Sequence, residues 1–363
     1  MILRNILIAA LTAATCLAGH AQTSQKITAG KANEYGLVYT LPQTAVDIYI
    51  EAEVSESHPG EFYNYARRHL GINDAITTDS RSARVVSALI VPRGIPDPDK
   101  RYTAQFKAGQ SAYITLSDTE MPIAINAEGG AAAEAPAIPA ARPAAPSPLE
   151  GEAARQAVTS DMARSASVSK KAELAAQRIF ELRETRSDIL SGNADNPPAD
   201  GDAMKLVLEN LSAQEAALTA MFAGTTSTRT EVRRYTIVPD SSDMSSRVIG
   251  RLSAVDGLID ADNLAGAPIT VDIKVIEQGV LPVNEKGEVK SFPKGGVAYN
   301  IPGSAAVTVS YGGNRIASAT LPMAQLGIVF GLDPSLFTNK KEPYKVTFDP
   351  TSGAVLELAP MAE

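Results

Sequence analysis

The chain of 363 residues is acidic, with 33 Lys and Arg against 41 Asp and Glu and a formal net charge of −8 at pH 7. Its length suggests two or three domains, and a hydrophobic content of 44% excludes a globally disordered protein. No run of Lys and Arg is longer than a pair, so no nucleic-acid partner is expected for this acidic surface.

Residues 1–21 have the layout of a secretory signal peptide. Arg4 is followed by an apolar stretch over residues 6–18, and small residues stand at Gly19 and Ala21. This pattern predicts cleavage between Ala21 and Gln22 and export, to the periplasm or to an outer-membrane-associated position. The apolar stretch is too short to cross a bilayer, and no transmembrane segment is expected after removal of the signal.

The only cysteine, Cys16, lies inside this leader. Residues 13–15 before it lack the leucine of a lipoprotein signal, so lipidation is the weaker alternative. Loss of the leader leaves 32 basic against 41 acidic residues, about −9, and no thiol. Disulfides, thiol catalysis and thiolate metal sites are thereby excluded from the mature chain, as is typical of a large bacterial envelope protein.

Residues 22–126 are predicted to form a β-rich domain with one short helix. Residues 46–54 alternate apolar and polar side chains without a break, which predicts a half-buried strand. Helical spacing follows from Phe62 to Leu70 and stops at Gly71. Residues 96–99, Pro-Asp-Pro-Asp, predict a turn. Further strands are predicted at 84–91, 102–107, 111–116 and 122–126.

Two segments without strand character occupy the middle of the chain. Residues 127–150 consist mainly of Ala, Pro and Gly, which predicts an extended linker or exposed loop. Residues 151–226 are predicted to hold a long αα-hairpin, with one helix capped by Ser169 and ending at Gly192, and another running from near Asp200 to Gly224. Apolar side chains recur at helical spacing in both helices.

Residues 227–363 return to strand periodicity and predict a second β-rich domain. The clearest strands are 269–275, and the hairpin of 306–311 with 315–321 around Gly312 and Gly313. Another hairpin is predicted between 344–348 and 354–358. Remaining strands are predicted at 235–238 and 247–252. The expected fold class is α+β, with mainly antiparallel sandwich- or barrel-like β regions and a central long αα-hairpin.

Several segments resemble the exported Bacteroidales family catalogued as domain of unknown function 4831. These segments are AAQRIFELRETR at 175–186, GDAMKLVLENL at 201–211, MFAG at 221–224, YARRHLG at 65–71, YNIPG at 299–303 and FDPTSG at 348–353. The resemblance covers most of the mature chain and implies a Gram-negative envelope location. The family brings no known active site, so it assigns no role to any residue.

Candidates for chemistry are few. His58 and His69 are the only histidines of the mature chain, and with Glu61 they are the one candidate metal site, although two solvent-facing histidines are the favoured interpretation. Glu51 and Glu53 share one strand face at a spacing that glycoside hydrolysis uses, but exposed sheets commonly carry such charges.

The segment 256–263 is rich in aspartate and partly matches a calcium loop. Counted from Asp260, however, Leu264 and Val271 occupy positions that require oxygen ligands, so a polar turn is favoured. No catalytic, cofactor-binding or metal-binding residue is predicted from these candidates.

The sequence therefore predicts an exported envelope protein that acts as a structural or binding component without catalysis or a cofactor. Its partner would be another envelope protein or a glycan. Two alternatives stay open, namely a glycan-binding or carbohydrate-active accessory protein, with Tyr63 and Tyr65 as candidate sugar platforms, and a self-associating assembly subunit that forms a homo-oligomer through the helical hairpin.

Overall fold

A computed structural model describes residues 25–28, 37–104, 112–129, 136–195, 201–339 and 341–361. The predicted leader and its cleavage site at Ala21 lie outside these residues. The structure is β-rich, with 46% strand and 23% helix, and its antiparallel sheets form a half-barrel. The β-dominated antiparallel character expected from the sequence is therefore confirmed.

Thirteen strands are found in the described part of the chain. They are β1 (Gln25–Thr28), β2 (Leu37–His58), β3 (Ser80–Ala104), β4 (Tyr113–Leu116), β5 (Pro122–Ile125), β6 (Thr225–Ile237), β7 (Met244–Ser253), β8 (Gly257–Ile259), β9 (Ala267–Glu277), β10 (Val297–Tyr311), β11 (Asn314–Leu332), β12 (Tyr344–Phe348) and β13 (Val355–Pro360). Their orders in the three sheets are β1-β4-β5-β12-β13, β11-β10-β9-β7-β8 and β3-β2-β6.

Six α-helices accompany these sheets in the described residues. They are α1 (Ala66–Leu70), α2 (Glu152–Ala157), α3 (Ser160–Arg164), α4 (Val168–Ser191), α5 (Asp202–Ala223) and α6 (Ser335–Thr338). A 3-10 turn at Tyr63–Tyr65 leads into α1, which ends at Gly71 in the left-handed region, so the short helix predicted there is confirmed. Ion pairs from Arg183 and Arg186 of α4 to Glu215 of α5 join the two long helices, at 2.6 and 2.7 Å.

Strand β2 contributes to two of the three hydrophobic cores found in the described residues, and the segment that follows it enters the third. Tyr39 and Leu41 near its start lie in a core with β4, β5, β12 and α6. Its middle residues Val46, Ile48 and Ile50 lie in the core between the three-stranded sheet and the β7–β11 sheet. Beyond its C-terminal end, Phe62 enters the core of the helices α2 to α5. The N-terminal and C-terminal β regions of the sequence thus share cores instead of lying apart.

The alternation predicted for residues 46–54 is confirmed. All five apolar side chains of this segment are buried, and four of them, all but Val54, lie in the core shared with the second sheet. Central β2 pairs with β3 on one side and with β6 on the other, so that Ile48 stands opposite Ile90 and Tyr235. Burial of such a strand removes apolar area from water on one face and leaves the polar positions on the other.

The turn predicted at residues 96–99 is wrong, because β3 continues through it. The pairing of β3 with β2 shifts between Thr40 and Pro42, so Pro96 opposes Pro42 while Arg101 opposes Thr40. The intervening residues form a bulge, where the backbone N–H of Asp99 donates to Asp97 Oδ1 at 3.1 Å. Proline has no N–H to donate to a ladder, and a bulge accommodates it without ending the strand.

The Ala/Pro-rich stretch is extended where it is described. Residues 136–141 and 143–147 adopt neither helix nor strand, as the prolines predict. Arg142 forms an isolated bridge with Thr230 on β6, with reciprocal N–H···O distances of 2.9 and 2.8 Å. This segment therefore lies along the free edge of the three-stranded sheet.

The first long helix begins earlier than the sequence suggested. Its N-cap is Ser167, whose side-chain oxygen accepts from the Lys170 N–H at 3.4 Å, whereas Ser169 lies inside the helix. The difference arises because both serines precede the apolar stripe, and the chain enters from the short helix α3 close to Ser167. The end predicted at Gly192 is confirmed by its left-handed conformation.

Candidate functional site

The two histidines occupy different environments. Exposed His58 donates through Nδ1 to Asp79 Oδ1 at 2.7 Å. His69 is half-buried, with its ring 6.2 Å from the Tyr65 ring and 6.5 Å from the Phe222 ring. Its Nε2 is buried and has no hydrogen-bond partner in the described part of the chain. The expectation of two solvent-facing histidines is therefore wrong for His69, whose ring packs against the helical core.

Neither histidine joins a cluster that could hold a metal ion. Within the ranges that the structure describes, no group of three or more His, Cys, Asp and Glu side chains converges in that way. The same residues contain no helix that is both long and apolar enough to span a membrane.

Glu51 and Glu53 lie on the outward face of β2, beside side chains of β3. Ser87 Oγ donates to Glu51 Oε2 at 2.7 Å, and Arg84 Nη2 donates to Glu53 Oε2 at 2.5 Å. These are cross-strand pairs on a sheet surface, which contribute a few tenths of a kcal/mol to about 1 kcal/mol each. Tyr65 packs against the helical core. The structure does not bring the two carboxylates and the tyrosines together around a shared cleft.

Two arginine side chains from neighbouring strands contact the aspartate-rich segment 256–263. The guanidinium of Arg233 bonds to Asp260 and to the Leu258 carbonyl oxygen, and the second of these distances is 3.1 Å. Arg251 donates to the carbonyl oxygens of Ala261 and Gly266 at 2.9 and 3.1 Å. Fixed positive groups therefore satisfy these oxygens, which agrees with the polar turn favoured from the sequence.

A buried aspartate that sequence reasoning missed lies on the same outward face as Glu51. Asp47 accepts from Arg93 Nε at 2.8 Å and from Thr236 Oγ1 at 2.6 Å. Burial raises the pKa of Asp47, but hydrogen bonds from Arg93 and Thr236 and the charges of Arg93 and Arg234 outweigh it and lower the pKa below 3.8. The Asp47 carboxylate thus links β2 to both of its neighbouring strands. In the sequence, the only indication of this residue is its polar position in the alternating pattern of β2.

A second polar cluster joins four distant segments behind the sheets. Asn300 Nδ2 donates to the carbonyl oxygens of Pro42 and Ser352, both at 2.9 Å. Thr44 is fully buried, with Oγ1 donating to the Thr351 carbonyl at 3.1 Å and accepting from the Ala324 N–H at 3.1 Å. These hydrogen bonds join β2, β10, β11 and the segment before β13.

Two glycines lie beside this polar cluster, where the same segments meet. A Cβ on Gly94 would lie 1.9 Å from the Pro350 carbonyl oxygen, and one on Gly353 would lie 3.0 Å from Asn300 Nδ2. Gly353 also has a φ of +74°, which a residue with a side chain rarely adopts. The β3 backbone at Gly94 therefore approaches the loop before β13 too closely for a side chain, and the Asn300 side chain of β10 lies close to Gly353.

Exposed apolar side chains lie close together at two places in particular, among other exposed apolar positions of the described residues. The first half of α5 presents Met204 and Leu208 in a shallow groove bordered by Lys205 and Glu209. Leu206, on the same half-helix, is 68% exposed. The apolar face of α5 that the sequence predicted is therefore buried only in its second half, at Leu218 and Phe222 among others.

The other place is the segment 280–292 between β9 and β10, which we call the apolar ribbon. Its exposed apolar side chains are Val280, Leu281, Val283, Val289 and Phe292. Val283 and Val289 face each other in an antiparallel bridge and are 55% and 62% exposed. Isolated exposed apolar side chains are ordinary, but a contiguous group marks a contact surface.

The chain matches a known protein family over most of its length. The family model described as Domain of unknown function (DUF4831) matches residues 35–356. The chain belongs to this family. No curated protein and no solved structure matches the chain. Membership in the DUF4831 family therefore comes without a relative whose activity could be compared.

Three of the segments that resembled the DUF4831 family lie where distant elements of the fold meet. YNIPG (299–303) and FDPTSG (348–353) supply Asn300, Ser352 and Gly353 of the polar cluster. MFAG (221–224) docks on the segment after β2, where the Phe62 N–H donates to the Met221 carbonyl at 2.7 Å. A Cβ on Gly60 would lie 2.2 Å from that oxygen. These three segments therefore contribute to the contacts between neighbouring elements.

Proposed function

We propose that this DUF4831 protein is exported to the cell envelope and works there as a non-catalytic structural or binding component. The leader pattern of residues 1–21 supports the location. The observation that carries the proposed role is that the acids and histidines best suited to chemistry are paired across strands or packed in a core. Glu53 with Arg84, His58 with Asp79 and Asp47 with Arg93 are the main examples.

The location is tested by expressing the full chain in a Gram-negative host and fractionating the cells. Mass spectrometry of the recovered protein is expected to find an N-terminus at Gln22 and the protein in the periplasmic or outer-membrane fraction. Recovery in the cytoplasm with Met1 retained would contradict the proposal.

The absence of catalysis is tested with a panel of glycan and ester substrates. The mature chain is expected to turn over none of them above a heat-denatured control. A turnover that Glu51→Gln or Glu53→Gln abolishes would overturn the proposed role and favour a carbohydrate-active enzyme. Ser55→Ala, on the same strand face, is the matched control for these variants.

The exposed half of α5 favours a second role, in which the protein self-associates. We propose that α4 and α5 form an antiparallel helical hairpin, supported by the ion pairs of Arg183 and Arg186 with Glu215. The α5 groove of one copy would pack against the same groove of a second copy. Short connections make such helices antiparallel neighbours, and half-buried apolar side chains are the usual seam of a helix pair.

Charge complementarity selects a second copy as the occupant. Exposed Lys205 and Glu209 lie one turn apart on the rim of the groove, 3.8 Å between Nζ and Oε1. A two-fold axis near Val207 would place each Lys205 beside Glu209 of the partner subunit, with Met204 and Leu208 between them. Such an interface is isologous, so one patch of mixed charge satisfies both copies.

Light scattering of the mature chain tests this arrangement, and a dimer is expected. Lys205→Glu creates like charges across the axis and is expected to give a monomer, whereas the double variant Lys205→Glu/Glu209→Lys is expected to restore the dimer. Leu264→Glu, on an exposed loop outside the helices, is the control and is expected to remain dimeric. A monomeric wild-type chain, or a dimer indifferent to Lys205→Glu, would overturn the arrangement.

A further inference from the structure

The outer edge of strand β6 is a row of main-chain groups that is covered at one residue. Thr230 exchanges both of its main-chain hydrogen bonds with Arg142, at 2.8 and 2.9 Å, so its N–H and C=O groups point away from β2. Alternate residues of a strand point the same way, so Thr228, Val232 and Arg234 present their N–H and C=O groups on this edge as well. Within the described residues, no main-chain group pairs with these three. The edge is therefore open on both sides of Thr230.

The segment that reaches Thr230 is weakly held. We call residues 136–147 the strap, and apart from the Arg142 bridge they form no main-chain hydrogen bond with β6. Ten of the twelve residues of the strap are exposed, and most of them are Ala or Pro, so the strap buries little apolar area. A contact that consists of two hydrogen bonds opens readily, because local opening has to break only those bonds.

Two prolines limit hydrogen bonding on the outer side of the strap. Pro143 directly follows Arg142, and Pro139 precedes it by three residues, so alternation places both proline nitrogens on the side away from β6. A proline nitrogen carries no hydrogen, and proline at an outer edge opposes the addition of a further strand. Ala140 and Ala144, on the side that faces β6, retain their N–H groups. The strap can therefore cover β6 while it offers few donors of its own.

A second copy of the chain fits the uncovered edge of β6. In an antiparallel pair of β6 strands centred on Thr230, Arg229 of one copy stands opposite Glu231 of the partner subunit, and the same pair recurs across the two-fold axis. No like charges are directly opposed between residues 225 and 235 in this register. Opposite charges across an antiparallel pair stabilise it, and like charges directly opposed destabilise it. The pair is centred on the residue that the strap occupies, so the strap and the second copy exclude each other.

We propose that the strap is a releasable cover of the β6 edge, and that this edge pairs with β6 of a second copy when the strap opens. Opening frees the N–H and C=O groups of Thr230, and pairing joins the three-stranded sheets of two copies into one continuous sheet. This surface is separate from the α5 groove, so the inference does not depend on the self-association proposed for that helix.

Hydrogen exchange, measured residue by residue on the chain from Gln22 onwards, tests whether the strap covers the edge. After correction for intrinsic rates, the Thr230 amide is expected to exchange roughly tenfold more slowly than those of Thr228 and Val232, because only Thr230 donates to the strap. Arg142→Pro removes the donor of the strap and is expected to bring Thr230 to the rate of the other two. Arg142→Ala keeps the backbone donor and is expected to match the wild type. Equal rates for the three amides in the wild-type chain would overturn the proposal.

Light scattering over a range of protein concentrations tests the pairing of two copies. Arg142→Pro is expected to form particles of about twice the wild-type mass or more, whereas Arg142→Ala is expected to keep the wild-type mass. Adding Thr228→Pro to Arg142→Pro is expected to restore the wild-type mass, because the Thr228 N–H faces the open edge and not β2. Thr228→Ala in the same background is the matched control and is expected to leave the larger particles intact.

The variants are compared at equal thermal stability. Arg142 and Thr228 are both exposed, so an unchanged melting curve is expected for each substitution. Particles of wild-type mass from Arg142→Pro would contradict the proposal, because the open edge would then not pair. Larger particles that persist with Thr228→Pro would place the association on another surface and would contradict it as well.

Discussion

Individual polar residues hold this fold together at places where distant segments meet. Asn300 donates to two carbonyl groups from opposite ends of the chain, and buried Thr44 links the same region to β11 through the Ala324 N–H. A buried carbonyl without a donor is expensive, so one amide side chain has a large effect there. Asp47 has the corresponding role within the three-stranded sheet.

Asn300→Ala is expected to lower the free energy of unfolding by about 3 kcal/mol, because two buried carbonyl groups lose their donor at once. Urea unfolding followed by circular dichroism measures the change. Asn193→Ala, at an exposed position after α4, is the control and is expected to stay within about 0.5 kcal/mol of the wild type. Equal effects of the two substitutions would contradict the role assigned to Asn300.

Asp47 predicts a pH dependence of stability. Its folded-state pKa is lowered below 3.8, so its contribution is complete above pH 3.8 and is lost as the pH falls through the folded-state pKa. Asp47→Asn is expected to cost about 1–3 kcal/mol at pH 7 and progressively less below pH 3.8. Urea unfolding at pH 7 and pH 3 compares the two chains, with Asp262→Asn as the control for charge. A difference that is constant with pH would refute this reasoning.

The elements differ in how far local sequence determines them. The alternation of residues 46–54 predicted β2 because one face of that strand is buried along its length. The glycines at 312 and 313 predicted the β10–β11 hairpin because both need positive φ, and they have values of 59° and 80°. Helix ends at Gly71 and Gly192 followed from the same conformational preference.

Other features depend on partners that the sequence does not identify. The bulge at Pro96 exists because β2 continues alongside β3. The N-cap of α4 is Ser167 and not Ser169 because of the path of the preceding chain. Pairing of β2 with β6 could not be predicted, since strand periodicity carries no information about which strand lies alongside. For the same reason the sequence did not predict the Asp47 cluster, because Asp47, Arg93 and Thr236 come from three different strands.

The helix cap gives a prediction at this scale. Ser167→Ala is expected to destabilise the chain by about 1 kcal/mol, because the Lys170 N–H loses its acceptor. Ser169→Ala, two residues into the helix, is expected to be neutral or slightly stabilising. Thermal melting of the two variants against the wild type measures this. A larger loss from Ser169→Ala would place the start of the helix differently.

At the scale of the whole molecule, β2 links two cores directly, and the segment that follows it enters the helical core at Phe62. Ile48→Ala removes apolar volume from the core between the sheets and is expected to cost about 3 kcal/mol. The helical signal at 222 nm and the tyrosine signal in the near ultraviolet are both expected to lose stability together, although Ile48 lies outside the helical core. A helical midpoint unchanged by Ile48→Ala would show that the helices unfold independently.

The order of strands along the chain also constrains how this protein reaches its folded state. Asp47 and Thr236 are adjacent in the sheet but are separated by 189 residues of sequence. Because synthesis starts at the N-terminus, β2 emerges long before β6, the strand that covers one of its edges. During that interval the edge of β2 that β6 will cover can pair with another extended chain. A protein of this topology is expected to need a holding chaperone until β6, which ends at Ile237, has emerged.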